Sequence, residues 1–333
     1  MDVTVVICTY NGASCLSNVF ERLASQMFTT LVSWDITVVD NNSRDQTAQV
    51  VQGYQDLPIF LDRLHYEYEP KQGLAFARRR GVRAAKGKLL AFLDDDNLPS
   101  SSWVQAVYDF GQQHPGAGAY GSQIVGAYEV EPPQDFERIA CFLAVIDRGH
   151  QPFRYDLLDR WLFPAGAGLV VRKQVWLEHV SEKPRLSGVL AEKLTSKGED
   201  IEALSYIRKA GWQIWHNPDM QIEHVIGRER MASGYLLTLF QGVGLSRYHT
   251  RMVRFCPWQR PFAIAAYGVN DLRRWLLHYT THYSKKSSIV VQCELTLLYY
   301  SLLSPIYIFS QTLVKILANQ CDSIFKIMRI DSS

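Results

Sequence analysis

The sequence predicts an α/β fold, in which helices cover both faces of a mostly parallel sheet and a helical extension follows. Short β-branched segments alternate with longer segments whose apolar residues recur at helical spacing, and this alternation is typical of parallel sheets. Near residue 231 the alternation gives way to a basic and apolar composition. The chain has 333 residues, 47% of them hydrophobic and 20% charged, which is ordinary for a globular protein. We therefore expect a first domain over residues 1–230 and a helical extension over residues 231–333.

The first strand and helix set the pattern for the rest of the sheet. VTVVICTY (3–10) is rich in β-branched residues and stops at the turn sequence Asn11-Gly12. From Ala13 to Gln26 the apolar residues recur at helical spacing, which predicts a helix. The next elements follow in order: a strand in DITVVDNNS, a short helix from Asp45 to Gln52, an extended piece from His65 to Tyr68, a helix in QGLAFARRRGVRAAKG and a strand in KLLAFLDDD.

Polar residues follow three of these strands, and ligands of parallel sheets bind beyond the carboxyl ends of the strands. The three sets are Thr9-Tyr10-Asn11, Asp40-Asn41-Asn42 and Asp94-Asp95-Asp96. Adjacent carboxylates repel one another unless a cation lies between them, and a cation held by acids can bridge a pyrophosphate. A solvated turn is the alternative, because Asp, Asn and the nearby Pro99 all favour turns. The pattern favours a nucleotide and a cation at this edge.

Several classes of protein are disfavoured by what the sequence lacks. Neither GxGxxG nor GxxxxGK[ST] occurs in the first strand-to-helix turn, which argues against dehydrogenases and P-loop enzymes. The six cysteines include no CxxC pair, which argues against a structural zinc site or a dense disulfide framework. MDVTVVICTY runs into a strand without a basic region, so we expect no secretory signal and a cytoplasmic protein. No motif indicates a nucleic-acid partner.

Five motifs together resemble one family. TYNG, VVDNNSRD, QGLAFARRRG, FLDDDN and GED at 198–200 are similar in order and spacing to the inverting family 2 glycosyltransferases, whose GT-A fold is a Rossmann-like, mostly parallel sheet. The resemblance covers about residues 3–225. Longer stretches such as PAGAGLVVRKQVW and GEDIEALSYIRKAGWQIWHNP resemble the cyanobacterial hormogonium-polysaccharide branch. The resemblance implies metal-dependent transfer of a sugar from a UDP- or GDP-sugar to a saccharide or lipid-linked saccharide acceptor in polysaccharide biosynthesis.

The resemblance also assigns residues to the nucleotide-sugar donor. The implied donor-binding residues are Thr9, Tyr10, Asn11, Asp40, Asn42, Gly73, Arg78, Asp94 and Asp95. In the family the arginine that matches Arg78 faces the nucleotide. The chain departs from the family pattern at Gln72 and Arg79, where many members have asparagine.

The same comparison implies a divalent cation, Mn²⁺ or Mg²⁺, at the three aspartates. Asp96 matches the metal-binding acid, Asp94 lies toward the ribose and can share the ion, and Asp95 stands at the variable middle position. His224, in QIEHV after a further predicted strand, is a candidate third ligand, because histidine is a common metal ligand; a structural role is the alternative. Such an ion acts as a Lewis acid on the leaving pyrophosphate.

Transfer also needs a base beside the acceptor hydroxyl. Glu199 and Asp200 open a predicted helix, where an acid can instead merely complement the helix dipole. Taken with the other motifs, Asp200 is the candidate base and Glu199 the candidate hydrogen-bonding partner of the acceptor. Gly166 and Trp161 are candidates for the acceptor side; the alternatives are a tight turn for the glycine and core packing for the tryptophan.

The extension combines a basic excess with an apolar stretch. Its cations are Arg247, Arg251, Arg254, Arg260, Arg273, Arg274, Lys285 and Lys286, and they precede LTLLYYSLLSPIYIF (295–309). That stretch is shorter than the ~20 residues of a membrane-spanning helix. Two interpretations stay open: a segment on the inner face of the plasma membrane, or a helical extension packed on the protein.

Two other functions share part of the pattern. A nucleotidyltransferase acting on sugar phosphates would have the same sheet and acids, but it normally carries a glycine-rich, lysine-bearing loop that TYNGAS lacks. A non-catalytic nucleotide-sugar-binding protein would not need both the aspartate cluster and the GED acids.

Overall fold

The computed structural model describes residues 1–158, 161–186, 198–282 and 288–330, with the backbone alone after residue 311. The chain divides into two compact units, Met1–Leu236 and Leu237–Ser333.

The first unit is built on a nine-stranded sheet. Its strands are β1 (Val3–Thr9), β2 (Trp34–Asp40), β3 (Leu64–Tyr68), β4 (Leu89–Asp94), β5 (Asn97–Pro99), β6 (Ala117–Tyr128), β7 (Phe153–Arg154), β8 (Val170–Arg172) and β9 (Gln213–Ile226). The order across the sheet is β3-β2-β1-β4-β8-β6-β9-β5, with β7 beside β9. Strands β3, β2, β1 and β4 are mutually parallel, and β6 is parallel to β9. The predicted mostly parallel α/β fold is confirmed.

The helices alternate with the strands as the sequence predicts. They are α1 (Leu16–Ala24), α2 (Thr47–Gln55), α3 (Leu74–Ala84), α4 (Trp103–Gln113), α5 (Lys173–His179), α6 (Glu199–Lys209), α7 (Arg228–Met231), α8 (Ser233–Met252), α9 (Arg260–Thr281) and α10 (Ile289–Ile330).

Helix α1 is shorter than the predicted Ala13 to Gln26, because the chain before it bonds to the loop after β2. Asn11 N donates to Ser43 Oγ at 2.9 Å, and Ala13 N donates to an oxygen of Asp45 at 3.1 Å. These amides are therefore satisfied outside the helix.

Apolar side chains cover both faces of the sheet. Along β1, Val5 and Ile7 join one buried cluster, whereas Val6 joins the other, as the two-residue period of a strand requires. Helix α3 lies close to the second face, since a Cβ on Gly81 would come within 2.4 Å of a Val6 methyl group. The strands read as continuous apolar runs because both faces are buried.

The antiparallel half of the sheet brings β9 and β5 to one edge, and it corrects one expectation. We expected His224 to follow a strand. It lies instead inside β9 and is paired with Asn97 of β5. This pairing places His224 beside the turn that carries the three aspartates.

The second unit contains most of α8 together with α9 and α10. Helix α10 corrects the expected length of the apolar segment, because Ile289–Gln311 is one continuous run of 23 residues that is long and apolar enough to cross a membrane. The helix continues through Pro305, and the Ser304 hydroxyl donates to the Ser301 carbonyl, which Pro305 cannot reach with an N–H. About 39% of the most apolar window is buried within the protein, so the run is weak evidence for a membrane span.

The arginines of this unit do not share one surface. Asp271 is buried and accepts from both terminal nitrogens of Arg251, with distances of 2.5 and 2.9 Å. Burial, together with Arg251, lowers the pKa of Arg247 to about 10. Arg273 and Arg274 are exposed. Lys285 and Lys286 lie outside the described residues.

Candidate functional site

Three parallel strands end side by side and bring their polar residues together. Thr9 of β1 pairs with Asp40 of β2, and Cys8 pairs with Asp94 of β4. The Thr9 hydroxyl donates to Asp95 Oδ2 at 2.5 Å, so the first and third strand ends are bonded directly. Glycine is needed at position 12, because a Cβ there would lie 2.1 Å from the Thr9 hydroxyl.

Asp40 is buried at the end of β2, and both of its oxygens accept hydrogen bonds. Ser43 N donates to Oδ1 at 2.8 Å, and the Tyr66 hydroxyl donates to Oδ2 at 2.7 Å. Burial and this bond to Asp40 raise the pKa of Tyr66. Each carboxylate oxygen accepts through one lone pair and keeps another for a ligand.

Two asparagines follow these strands in the left-handed region, with φ of 56° at Asn11 and 65° at Asn42. Asparagine tolerates this conformation better than most residues. Asn11 Oδ1 accepts from Arg44 N at 2.8 Å, and Asn42 Oδ1 accepts from the Tyr68 hydroxyl at 2.7 Å. Tyr10, beside Asn11, is half-buried. These contacts fix the two loops that flank the strand ends.

Asn41 holds the loop that leads into α3. Its amide nitrogen donates to the carbonyls of Glu69 and Lys71, at 3.1 and 2.8 Å, and its oxygen accepts from Gly73 N at 2.7 Å. Gly73 has φ of 133°, which side chains rarely adopt. The helix therefore starts at a fixed point, and Arg78 is placed about one turn later.

Arg78 is a buried cation among carboxylates. Its side chain is 4% exposed, Nη1 donates to Glu199 Oε1 at 3.1 Å, and Nη2 lies 4.0 Å from Asp94 Oδ1. Burial alone would lower the pKa of Arg78, but the charges of Glu199, Asp94 and Asp200 outweigh it and raise that pKa. A Cβ on Gly166 would lie 2.4 Å from Nη2, so this glycine makes room for the guanidinium.

Glu199 and Asp200 begin α6 beside Arg78. Burial, and then repulsion from Asp200, raises the pKa of Glu199 to about 7, against the attraction of Arg78. Asp200 is half-buried, and its Oδ1 accepts from Ile201 N at 2.8 Å. The two acids therefore differ: Glu199 is turned inward onto Arg78, whereas Oδ2 of Asp200 has no hydrogen-bond partner among the described residues.

The three aspartates also differ from one another. Burial raises the pKa of Asp94, and burial together with Asp96 raises that of Asp95 to about 7. The pKa of Asp96 is lowered despite burial, because His224 and Arg230 stabilise its ionised form. Asp96 Oδ2 lies 3.3 Å from His224 Nε2 and 2.7 Å from Arg230 Nη2.

The residues at Asp96 have the chemistry of a divalent-cation site. A carboxylate and an imidazole nitrogen are ligands that suit Mn²⁺, and His224 Nε2 lies 3.3 Å from Asp96 Oδ2. Within the described ranges, no three His, Cys, Asp or Glu side chains converge as a complete metal site. This fits an ion that takes one or two protein ligands and completes its shell with water and substrate phosphates.

The two acceptor-side candidates pack against protein groups. Gly166 contacts Arg78, as above. Trp161 is half-buried, its Nε1 donates to Ser205 Oγ at 3.2 Å, and the Arg208 guanidinium lies 4.4 Å above its ring. One face of this tryptophan is therefore already covered.

Three residues that support the site had no role assigned from the sequence. Asn41 belongs to the predicted polar group after β2, but its part in holding the loop into α3 was not foreseen. Tyr66 of β3, whose hydroxyl donates to Asp40, could have been suspected from its position near a strand end. Arg230 had no such signal, because only the turn of α7 after β9 returns it to His224 and Asp96.

The sequence of this chain is similar to those of known glycosyltransferases. The sequence model of glycosyl transferase family 2 matches residues 4–169. The glucosyl-dolichyl phosphate glucuronosyltransferase of Haloferax volcanii is 21% identical over 240 residues, which cover 71% of this chain and 73% of that protein. An uncharacterised glycosyltransferase of the cyanobacterium Nostoc is 24% identical over 183 residues, 53% of this chain and 52% of that one.

Among solved structures, S. aureus TarS residues 1–349 in complex with UDP-GlcNAc has a similar fold. Its TM-score is 0.52 at 15% identity, with 91% of each chain covered.

The raised pKa of Glu199 predicts a pH dependence of stability. The folded protein holds the Glu199 proton up to about pH 7, whereas the unfolded chain releases it near the ordinary value of 4.5. Between these values the folded state binds more protons, so the free energy of unfolding falls as the pH rises. We expect this one group to contribute a fall on the order of 3 kcal/mol, measurable by urea denaturation.

Glu199→Gln should remove that part of the slope, and Glu178→Gln, which changes an exposed glutamate, should keep it. An unchanged slope in Glu199→Gln would show that Glu199 titrates normally.

Proposed function

Because this chain belongs to glycosyltransferase family 2, we propose that it transfers a sugar from a UDP- or GDP-sugar to a saccharide or lipid-linked saccharide hydroxyl. A divalent cation at Asp96 takes part, and the reaction inverts the anomeric centre, as is typical of the family. The product belongs to polysaccharide biosynthesis. Membership of this family leaves no reason to retain a nucleotidyltransferase.

One observation carries the proposal. The ends of β1, β2 and β4 meet the start of α6 at one edge of the sheet, so donor-binding groups and a candidate base occur together. Arg78 joins them, since it bonds to Glu199 of α6 and lies 4.0 Å from Asp94 of β4. A binding protein without activity would need no second acid beside Arg78.

The donor is assigned to the strand ends. Thr9, Tyr10 and Asn11 would line the base, and the free lone pairs of Asp40 would accept from the base or ribose, with Asn42 beside it. TarS, which shares the fold, binds UDP-GlcNAc, and this supports a UDP-sugar donor.

The diphosphate would lie at the Asp94–Asp96 turn. Asp96 and His224 would hold the divalent cation, Mn²⁺ or Mg²⁺, with Asp94 beside it. When bound, such an ion neutralises charge on the leaving diphosphate. Arg78 counters Asp94 and Glu199, which keeps this side of the site from repelling the donor.

Asp200 is the proposed base. Its half-buried carboxylate keeps Oδ2 for an acceptor hydroxyl, from which it would take the proton as the hydroxyl oxygen attacks the anomeric carbon. One base and one direct displacement give inversion. Glu199 would hold Arg78 in place and hydrogen-bond the acceptor. Its side chain is 11% exposed, and one of its oxygens is bonded inward to Arg78.

The C-terminal unit supports a lipid-linked acceptor at the cytoplasmic face of the membrane. Trp258 and Phe262 are 71% and 72% exposed and line an apolar cavity of about 550 Å³ with Phe255 and Tyr267. Helix α9, which carries Phe262 and Tyr267, also exposes Arg273 and Arg274. Exposed aromatics beside cations are typical of segments that lie on anionic membranes.

The activity can be tested directly with a panel of nucleotide sugars. We expect release of UDP or GDP from one donor, dependent on Mn²⁺ or Mg²⁺ and abolished by EDTA, because the leaving diphosphate needs a counter-charge. Asp96→Asn should abolish metal-dependent nucleotide binding with the fold intact by circular dichroism. Equal nucleotide affinity with and without EDTA would remove the metal from the proposal.

Asp200→Asn tests the base. The variant keeps the shape but loses the proton acceptor, so donor binding should persist while turnover falls by ~10²–10⁴-fold. Glu199→Gln should act more through the acceptor KM than through kcat. NMR of the first-formed glycoside should show inversion; retention, or near-normal turnover of Asp200→Asn, would overturn the assignment.

Membrane association can be measured with anionic liposomes. Binding should weaken with salt, because exposed charges are screened over ~8 Å at physiological ionic strength. Replacing Arg273 and Arg274 together by glutamine should weaken binding on the order of tenfold. The matched double replacement of the exposed Arg80 and Arg83 should leave it unchanged. Absence of binding would favour an extension that packs only on protein.

A further inference from the structure

Arg230 lies where Asp96 and His224 converge. Its Nη2 lies 2.7 Å from Asp96 Oδ2, and its Nη1 lies 3.0 Å from His224 Nε2. The side chains of Asp96 and His224 are 13% and 5% exposed, whereas that of Arg230 is 34% exposed. The Arg230 side chain thus extends from the surface to two side chains that are almost fully buried.

Arg230 contacts the two atoms that a metal ion would use. His224 Nε2 lies 3.0 Å from Arg230 Nη1 and 3.3 Å from Asp96 Oδ2, and that carboxylate oxygen lies 2.7 Å from Arg230 Nη2. A metal ion would bind through the lone pair of Nε2 and through the same Asp96 oxygen. The arginine and a divalent cation therefore use the same two atoms and exclude each other there.

We infer that Arg230 is a built-in counter-cation that occupies Asp96 and His224 until a divalent cation displaces it, and that it then pairs with the donor diphosphate. This inference rests on the proposed function, because it takes the metal and the donor from there.

The position of Arg230 permits such an exchange. It lies on α7, a single turn after β9, and its partly exposed side chain can leave the pair without unpacking the core. The site needs a cation in either state, since Asp94, Asp95 and Asp96 are consecutive. Once displaced, the guanidinium remains beside the cation site, where the phosphates of a metal-bound donor would lie. Arginine is suited to phosphate oxygens through paired hydrogen bonds.

One substitution should therefore shift two affinities in opposite directions. In Arg230→Gln the competing cation is gone, so Mn²⁺ should bind the donor-free protein about tenfold more tightly, as expected for loss of a charge-assisted hydrogen bond. At saturating Mn²⁺ the same variant should bind UDP about tenfold more weakly, because a phosphate partner is lost.

The experiment measures Mn²⁺ binding by electron paramagnetic resonance of the free ion, and UDP binding by calorimetry. Arg228→Gln, an exposed arginine on the same short helix, is the matched control and should change neither affinity. Arg230→Lys keeps one charge but not the two-nitrogen bridge, so it should tighten Mn²⁺ binding less. It also serves if Arg230→Gln does not fold.

The outcomes separate the inference from the function. Mn²⁺ affinity that is equal or weaker in both Arg230 variants, with metal-dependent UDP binding intact in the unmutated protein, overturns the exchange alone. Absence of Mn²⁺ binding in every protein, with UDP still bound, overturns the metal assignment itself and the exchange with it. Tighter Mn²⁺ with unchanged UDP affinity overturns the diphosphate contact.

Discussion

The concentration of carboxylates at one sheet edge is the constraint on which the rest of the site depends. Asp94, Asp95, Asp96, Glu199 and Asp200 lie there, and burial makes their repulsion costly. Two arginines, on different helices, offset this repulsion. Arg78 is buried and paired with Glu199, whereas Arg230 is partly exposed and contacts Asp96, the proposed metal ligand. The first arginine links α6 to the sheet edge, and the second lies at the proposed cation site.

Backbone geometry supplies the precision that charge alone cannot. Asn41 satisfies three backbone groups at the entrance to α3, and this fixes the helix that carries Arg78. Gly166 and Gly12 have no side chain where one would strike Arg78 or Thr9. A long charged side chain such as that of Arg78 would otherwise sample several rotamers. Fixing it in one rotamer costs entropy, and these local contacts reduce that cost.

The match to the family and the proposed chemistry cover different parts of the chain. Residues 4–169 match the family and contain the strand ends and the three aspartates. Glu199, Asp200, His224 and Arg230 lie beyond that range, on α6, β9 and α7. The family model therefore covers the strand ends and the three aspartates, and it stops before α6, β9 and α7.

The sequence alone determined the alternating strands and helices, the meeting of three strand ends and the start of α6 at Glu199, because these depend on local periodicity and on the rule that parallel strands end at one edge. It could not place His224 within β9 or predict that α10 continues past its apolar stretch. It gave no sign of Arg230, which reaches Asp96 across more than a hundred residues of chain. The tertiary structure decided which acids are buried, which arginine each one faces and how far each pKa moves, since burial and pairing arise only when distant segments pack together.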